Sequence, residues 1–154
     1  MRDFGLVALL PLLLPAAPAQ SVPAGWTLVK DSKSACQIAV PGDWTPSVES
    51  SGSAVFQDPT TGIAVVTSQP GQTFKPLTEA MQKLLRIAKE KLFENTAKRI
   101  FYQDKTARDA TDSNAFSAMV PGKNGTCSSR VVFVSSVAEE TAKKIALSLG
   151  PVQE

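Results

Sequence analysis

The sequence predicts an α+β domain, a mainly antiparallel β-sheet covered by two main helices. Short β-type runs bounded by Pro, Gly, Asn and Asp recur along the chain and pair off as hairpins. Two other segments repeat apolar residues at the helical period. Hairpins dominate the connections, so antiparallel pairing dominates the expected sheet.

The chain opens with Met1-Arg2-Asp3-Phe4-Gly5, an apolar run over 6–14, and Ala17-Pro18-Ala19 ahead of Gln20. A short charged start, an apolar run of this length and an A-x-A pattern mark a secretory signal, with cleavage expected after Ala19. Pro11 and Pro15 interrupt a run that is already shorter than the roughly 20 residues needed to span a bilayer. The expected organisation is a signal peptide over 1–19, a leader over 20–25, one domain over 26–150 and a tail over 151–154. The protein is expected to be exported, periplasmic or secreted, and not membrane-spanning after cleavage. Of its 154 residues, 43% are apolar and 19% charged, enough apolar side chain for one core and too little charge for a disordered tail protein.

Within the domain, 26–30 is the first expected strand and 31–34 a turn. Residues 35–40 alternate Cys36, Ile38 and Val40 against Gln37 and Ala39, the period of a strand with one buried face, which points Cys36 inward. Pro41-Gly42-Asp43 stops it, and Trp44 follows. The stretch 45–53 is rich in Ser, Pro and Gly and reads as an exposed loop. Residues 54–57 and 63–68 form a hairpin across Asp58-Pro59-Thr60-Thr61-Gly62. Pro76 sits where a helix can start. Leu77, Met81, Leu84, Leu85, Ala88 and Leu92 then fall on one helical face, and the helix should end near Glu94-Asn95. A strand is expected over 97–105 and a polar loop over 106–113. A second hairpin joins 115–120 to 126–135, with Asn124-Gly125 supplying positive-φ residues. In its second strand Cys127, Ser129, Val131 and Phe133 share a face, and apolar residues on both faces of the later half place the strand centrally. Ser136 and Glu139 have capping-box spacing. They start a last helix whose inner face is Ala138, Thr141, Ala142, Ile145 and Leu149 and whose stop is Gly150-Pro151.

Cys36 and Cys127 are the only cysteines. Export permits a disulfide between them, stabilising by up to roughly 4 to 5 kcal/mol for a loop of about 90 residues. Two separate buried thiols are the alternative. The segment Cys36-Gln37-Ile38-Ala39-Val40-Pro41-Gly42-Asp43-Trp44, a strand running into a Pro-x-x-Trp turn, resembles the PsbP-like fold, shared by photosystem accessory proteins and by bacterial envelope proteins of the DcrB and LpqN kinds. A long amphipathic helix after the first hairpin pair and a short closing helix extend the likeness over 26–149. The resemblance implies a PsbP-like layered sandwich and a noncatalytic adaptor, assembly or ligand-carrying role. Fold alone names no ligand.

Function is narrowed chiefly by composition. The chain has no histidine, which excludes Ser-His and Cys-His nucleophile systems and imidazole ligation of zinc, copper or haem. No G-x-S-x-G, S-x-x-K, P-loop or dinucleotide pattern occurs, so no catalytic motif, cofactor or metal site is expected. Carboxylate chemistry is left. Asp104, Asp109 and Asp112 would serve a glycan hydrolase if two carboxyl groups faced each other, against the simpler reading of a solvated loop. Trp44 and Trp26 are candidate contacts for a ligand or partner, with rim packing as the plainer alternative. Lys98-Arg99-Ile100-Phe101-Tyr102 interleaves base with aromatic, but a formal charge of +2 argues against nucleic acid and for a half-exposed strand. Asn124-Gly125-Thr126 fits a glycosylation sequon as well as a turn. The expected function is that of an exported, non-catalytic binding or accessory module of the bacterial periplasm or cell envelope, with a protein or lipid partner. A carboxylate-based envelope glycan hydrolase, and a secreted inhibitor or effector acting through 45–53, are the alternatives.

Overall fold

The computed structural model describes residues 22–47, 54–58, 62–105, 114–134 and 136–153. The chain lays down β1 (Trp26–Lys30), β2 (Cys36–Pro41), β3 (Thr45–Ser47), β4 (Ala54–Asp58) and β5 (Gly62–Pro70) in succession. After a short helix α1 (Glu79–Leu84) come β6 (Leu92–Asn95), β7 (Ile100–Lys105), β8 (Asn114–Gly122) and β9 (Gly125–Phe133). Helix α2 (Ser136–Leu147) and the two-residue strand β10 (Gly150–Pro151) close the domain. The strands form one sheet in the order β3-β4-β5-β9-β8-β7-β6 and a smaller one in the order β1-β2-β10. All the pairings are antiparallel, so the fold is α+β with a mainly antiparallel sheet.

The core lies between one face of the large sheet and a layer made by β2 and α2. Cys36, Ile38 and Val40 of β2 meet Ala64, Val66, Phe116, Cys127, Val131 and Phe133 of the large sheet. Ala138, Ala142, Ile145 and Ala146 bring α2 onto the same cluster. Three alanines on that face let the helix sit close to a sheet already crowded by phenylalanine rings. Phe133, Phe116 and Phe101 stack across β9, β8 and β7 at centroid separations of 5.2 and 5.5 Å. β9 is central, as its two-sided apolar pattern requires.

Several expectations are corrected. The helix expected from Pro76 to Glu94-Asn95 shrinks to the six residues of α1, none of them buried. Its entry is delayed because the Asn95 side chain holds the backbone of Leu77, accepting its N–H at 2.8 Å and donating to its carbonyl at 2.9 Å. Thr78 then caps the helix. Its exit is a Schellman motif, with Arg86 at φ 54°, the Ile87 N–H donating to the Gln82 carbonyl and the Arg86 N–H to the Lys83 carbonyl. The apolar stripe is thereby broken, and Leu84, at the centre of the expected inner face, is 74% exposed. Leu92 belongs instead to β6.

The loop expected over 45–53 begins as strand β3, whose Pro46 is tolerated because β3 lies at the sheet's edge; residues 48–53 lie outside the described residues, as does the loop expected over 106–113. The expected tail starts as β10, where Gly150 and Pro151 pair with Gln37 and Cys36 and the Val152 N–H donates to the Ala35 carbonyl. β2 is covered on both faces rather than one, Gln37 and Ala39 being buried as well. The segment expected as a half-exposed strand buries Ile100, Phe101 and Tyr102 together. Asn124-Gly125 does not supply positive φ, which among the described residues is confined to Ser34, Arg86, Gly25 and Gly71. Gly125 is needed for close approach, since a Cβ there would run into the backbone carbonyl of Gln69. Ser136 is the first residue of α2.

Candidate functional site

Three segments meet at one end of the molecule: the turn between β1 and β2, the end of β5, and the β8–β9 hairpin. The turn is organised by Asp31, only 3% exposed. Its Oδ1 accepts the N–H groups of Ala35 at 2.7 Å and Cys36 at 2.9 Å. Its Oδ2 accepts the Ser68 hydroxyl at 2.6 Å and the Lys33 N–H at 3.4 Å. An Asp that binds the backbone ahead of it is a recurrent turn device, and here it also ties the small sheet to β5. Burial pushes the Asp31 pKa up, but the hydrogen bonds from Cys36, Ser68, Ala35 and Lys33 outweigh it and hold the carboxyl below its ordinary value of 3.8.

Beside that carboxylate, Cys36 and Cys127 form the disulfide, with their Cα atoms 5.6 Å apart. It joins β2 to β9, and both residues are buried. The structure therefore selects the bond over two separate thiols. The hairpin wall is fixed by Thr126, whose hydroxyl donates to the Gln72 carbonyl at 2.9 Å, and by the Gly71 N–H, which donates to the Asn124 carbonyl at 2.8 Å.

These parts form an open cleft of about 320 Å³ beside the disulfide, within the size range of small-molecule sites. Lys30 lines it from the end of β1, Lys33 from the first turn and Lys123 from the hairpin. Ala35, Pro70 and Val152 supply apolar lining. Among the described residues no carboxylate side chain lines it. Sequence reasoning missed this cleft, because its lining comes from β1, the first turn, β5, the hairpin and residue 152. The one available signal was the cysteine pair.

The candidate contacts Trp44 and Trp26 go elsewhere. Trp44 is 8% exposed and belongs to the core; Trp26 is partly buried against it. Asp104 lies on the face of the large sheet away from α2, where Arg130 approaches its Oδ2 at 2.6 Å and also reaches the Ser117 hydroxyl at 3.5 Å. Tyr102 beside them has its pKa raised, chiefly by burial and further by Asp104, with a hydrogen bond to Ser117 and the Arg130 charge opposing. Asp104 thus faces a cation rather than a second acid, while Asp109 and Asp112 lie outside the described residues. Among the described residues no group of three or more His, Cys, Asp or Glu side chains could hold a metal, and no helix is long and apolar enough to cross a membrane. Asn124 of the sequon is exposed at the hairpin tip. Neither a known protein-family model nor a curated protein sequence matches the chain.

Proposed function

We propose that the protein is an exported, non-catalytic binding or accessory module of the bacterial periplasm or cell envelope, and that it binds through the cleft at the disulfide. The Cys36–Cys127 bond carries this reading, because disulfides persist in oxidising compartments and are rare in the cytosol. The signal-like segment over 1–19 and the lack of histidine support it. The PsbP-like resemblance belongs to the same proposal. A mainly antiparallel sheet, the closing helix α2 and the Cys36-to-Trp44 segment support it, while α1 is shorter than the long helix the likeness implied.

The test is expression of the full chain in a Gram-negative host, followed by fractionation, thiol alkylation and native mass spectrometry. The expected product begins at Gln20, sits in the periplasmic fraction, resists alkylation until reduced and carries a partner or ligand. An uncut chain in the cytosol would overturn export. A clean monomer with nothing bound would overturn the binding role.

A further inference from the structure

We infer that the cleft takes a small amphipathic anion, a single carboxylate-like head on a short apolar body. The inference rests on the reading of the cleft as the binding site and names the ligand class it selects. Charge comes first. Lys30 and Lys33, at the end of β1 and in the turn after it, and Lys123, in the β8–β9 hairpin, all line the cleft, and among the described residues no acidic side chain lines it. The nearby carboxylate, Asp31, is turned inward, its oxygens occupied by three backbone N–H groups and the Ser68 hydroxyl. Among the described residues neither Lys30 nor Lys33 is engaged in an ion pair. A recess lined by charge of one sign attracts an ion of the other, an attraction that falls with added salt because the lysines are exposed.

Apolar lining decides the rest of the ligand. Ala35, Pro70 and Val152 offer hydrocarbon to the interior, which a fully hydrated inorganic ion leaves uncovered and a short alkyl chain covers. A volume of about 320 Å³ suits a molecule of that kind better than a folded partner. Ser34 also belongs to the lining, whereas the Ser68 hydroxyl is already donated to Asp31.

The probes are octanoate and octyl glucoside, which share an eight-carbon chain and differ in charge, with a short oligoglutamate peptide as third ligand. Each is titrated into the oxidised protein and followed by amide ¹H–¹⁵N spectra. Octanoate is expected to shift the amides of Ser34, Ala35, Gly122, Gly125 and Thr126. Replacing Lys30, Lys33 and Lys123 together by Gln should weaken it by about tenfold or more. The three side chains are exposed, so spectra elsewhere should stay unchanged and report intact folding. Equal binding of octanoate and octyl glucoside would overturn the charge selection yet leave the binding-module reading standing. Tighter binding of oligoglutamate would overturn the small-molecule class and point to an acidic segment of a partner. Silence toward octanoate overturns the inference outright, whereas the module reading is decided separately by fractionation and native mass.

Discussion

The two segments with helical apolar patterning have opposite fates. In 136–147 the pattern is realised: α2 buries Ala138, Ala142, Ile145 and Ala146 against the sheet, and its exit is fastened where the Ser148 hydroxyl accepts the Ala39 N–H at 2.7 Å. In 77–92 the pattern is, if anything, greasier, yet Met81, Leu84 and Leu85 stay exposed on a single helical turn and a half. The difference is not one of hydrophobicity. α2 offers small side chains to a surface that large ones already fill, so it can approach, whereas the leucine stripe of 77–92 meets a chain that Asn95 and Arg86 have already bent into other conformations. Periodicity states that a face exists, and packing decides whether anything receives it.

That contrast can be broken or sharpened by removing anchors from the α2 side and apolar groups from the α1 side. The largest effect is expected from replacing Cys36 and Cys127 together by Ala. This releases a constraint spanning 91 residues and should lower stability to urea by about 4 kcal/mol on the chain-entropy account. Ile145→Ala comes next. The side chain is fully buried, and its loss should cost about 3 kcal/mol. Asp31→Asn should cost about 2 kcal/mol at neutral pH, since an ionised acceptor of several buried donors is replaced by a neutral one. Its pH signature is distinctive. The folded pKa of Asp31 is lowered, so its contribution is complete above the ordinary aspartate value and is lost as pH falls through the folded one. The variant should therefore show a flatter acid limb in urea midpoints measured from pH 7 downward. Leu84→Ala should be the smallest, within about 0.5 kcal/mol. A loss near that of Ile145→Ala would show that the α1 stripe has a packing partner after all and would remove the contrast.

How much was legible follows from the same physics. β2, β5, β8 and β9 could be read because two-residue alternation and strong turn residues agree there, and Cys127 could be placed on the inner face from its register with Val131 and Phe133. β3 and β10 could not. Thr45-Pro46-Ser47 and Gly150-Pro151 have no apolar alternation and contain proline, and each becomes a strand only because an edge position asks little of its residues. The cleft was illegible for a different reason. Its lysines lie at the end of β1, in the turn after it and in the β8–β9 hairpin, segments far apart in sequence that share one cleft only once β5, β9 and the disulfide are in place. Trp44, the residue most suggestive of binding, is consumed by the core.

The Asp31 carboxylate accepts the amide of the very residue whose sulfur makes the cross-link. Acid and reductant consequently act on one joint, through different chemistry, and their effects are coupled rather than additive. Once the sulfurs part, β2 is freer to drift and the carboxylate has less to hold. Once the carboxylate is neutralised, the thiols are less well aligned to reclose. In a compartment that is both acidic and reducing, the first loss would account for most of the loosening at this end of the molecule, and the second would add less than it does alone.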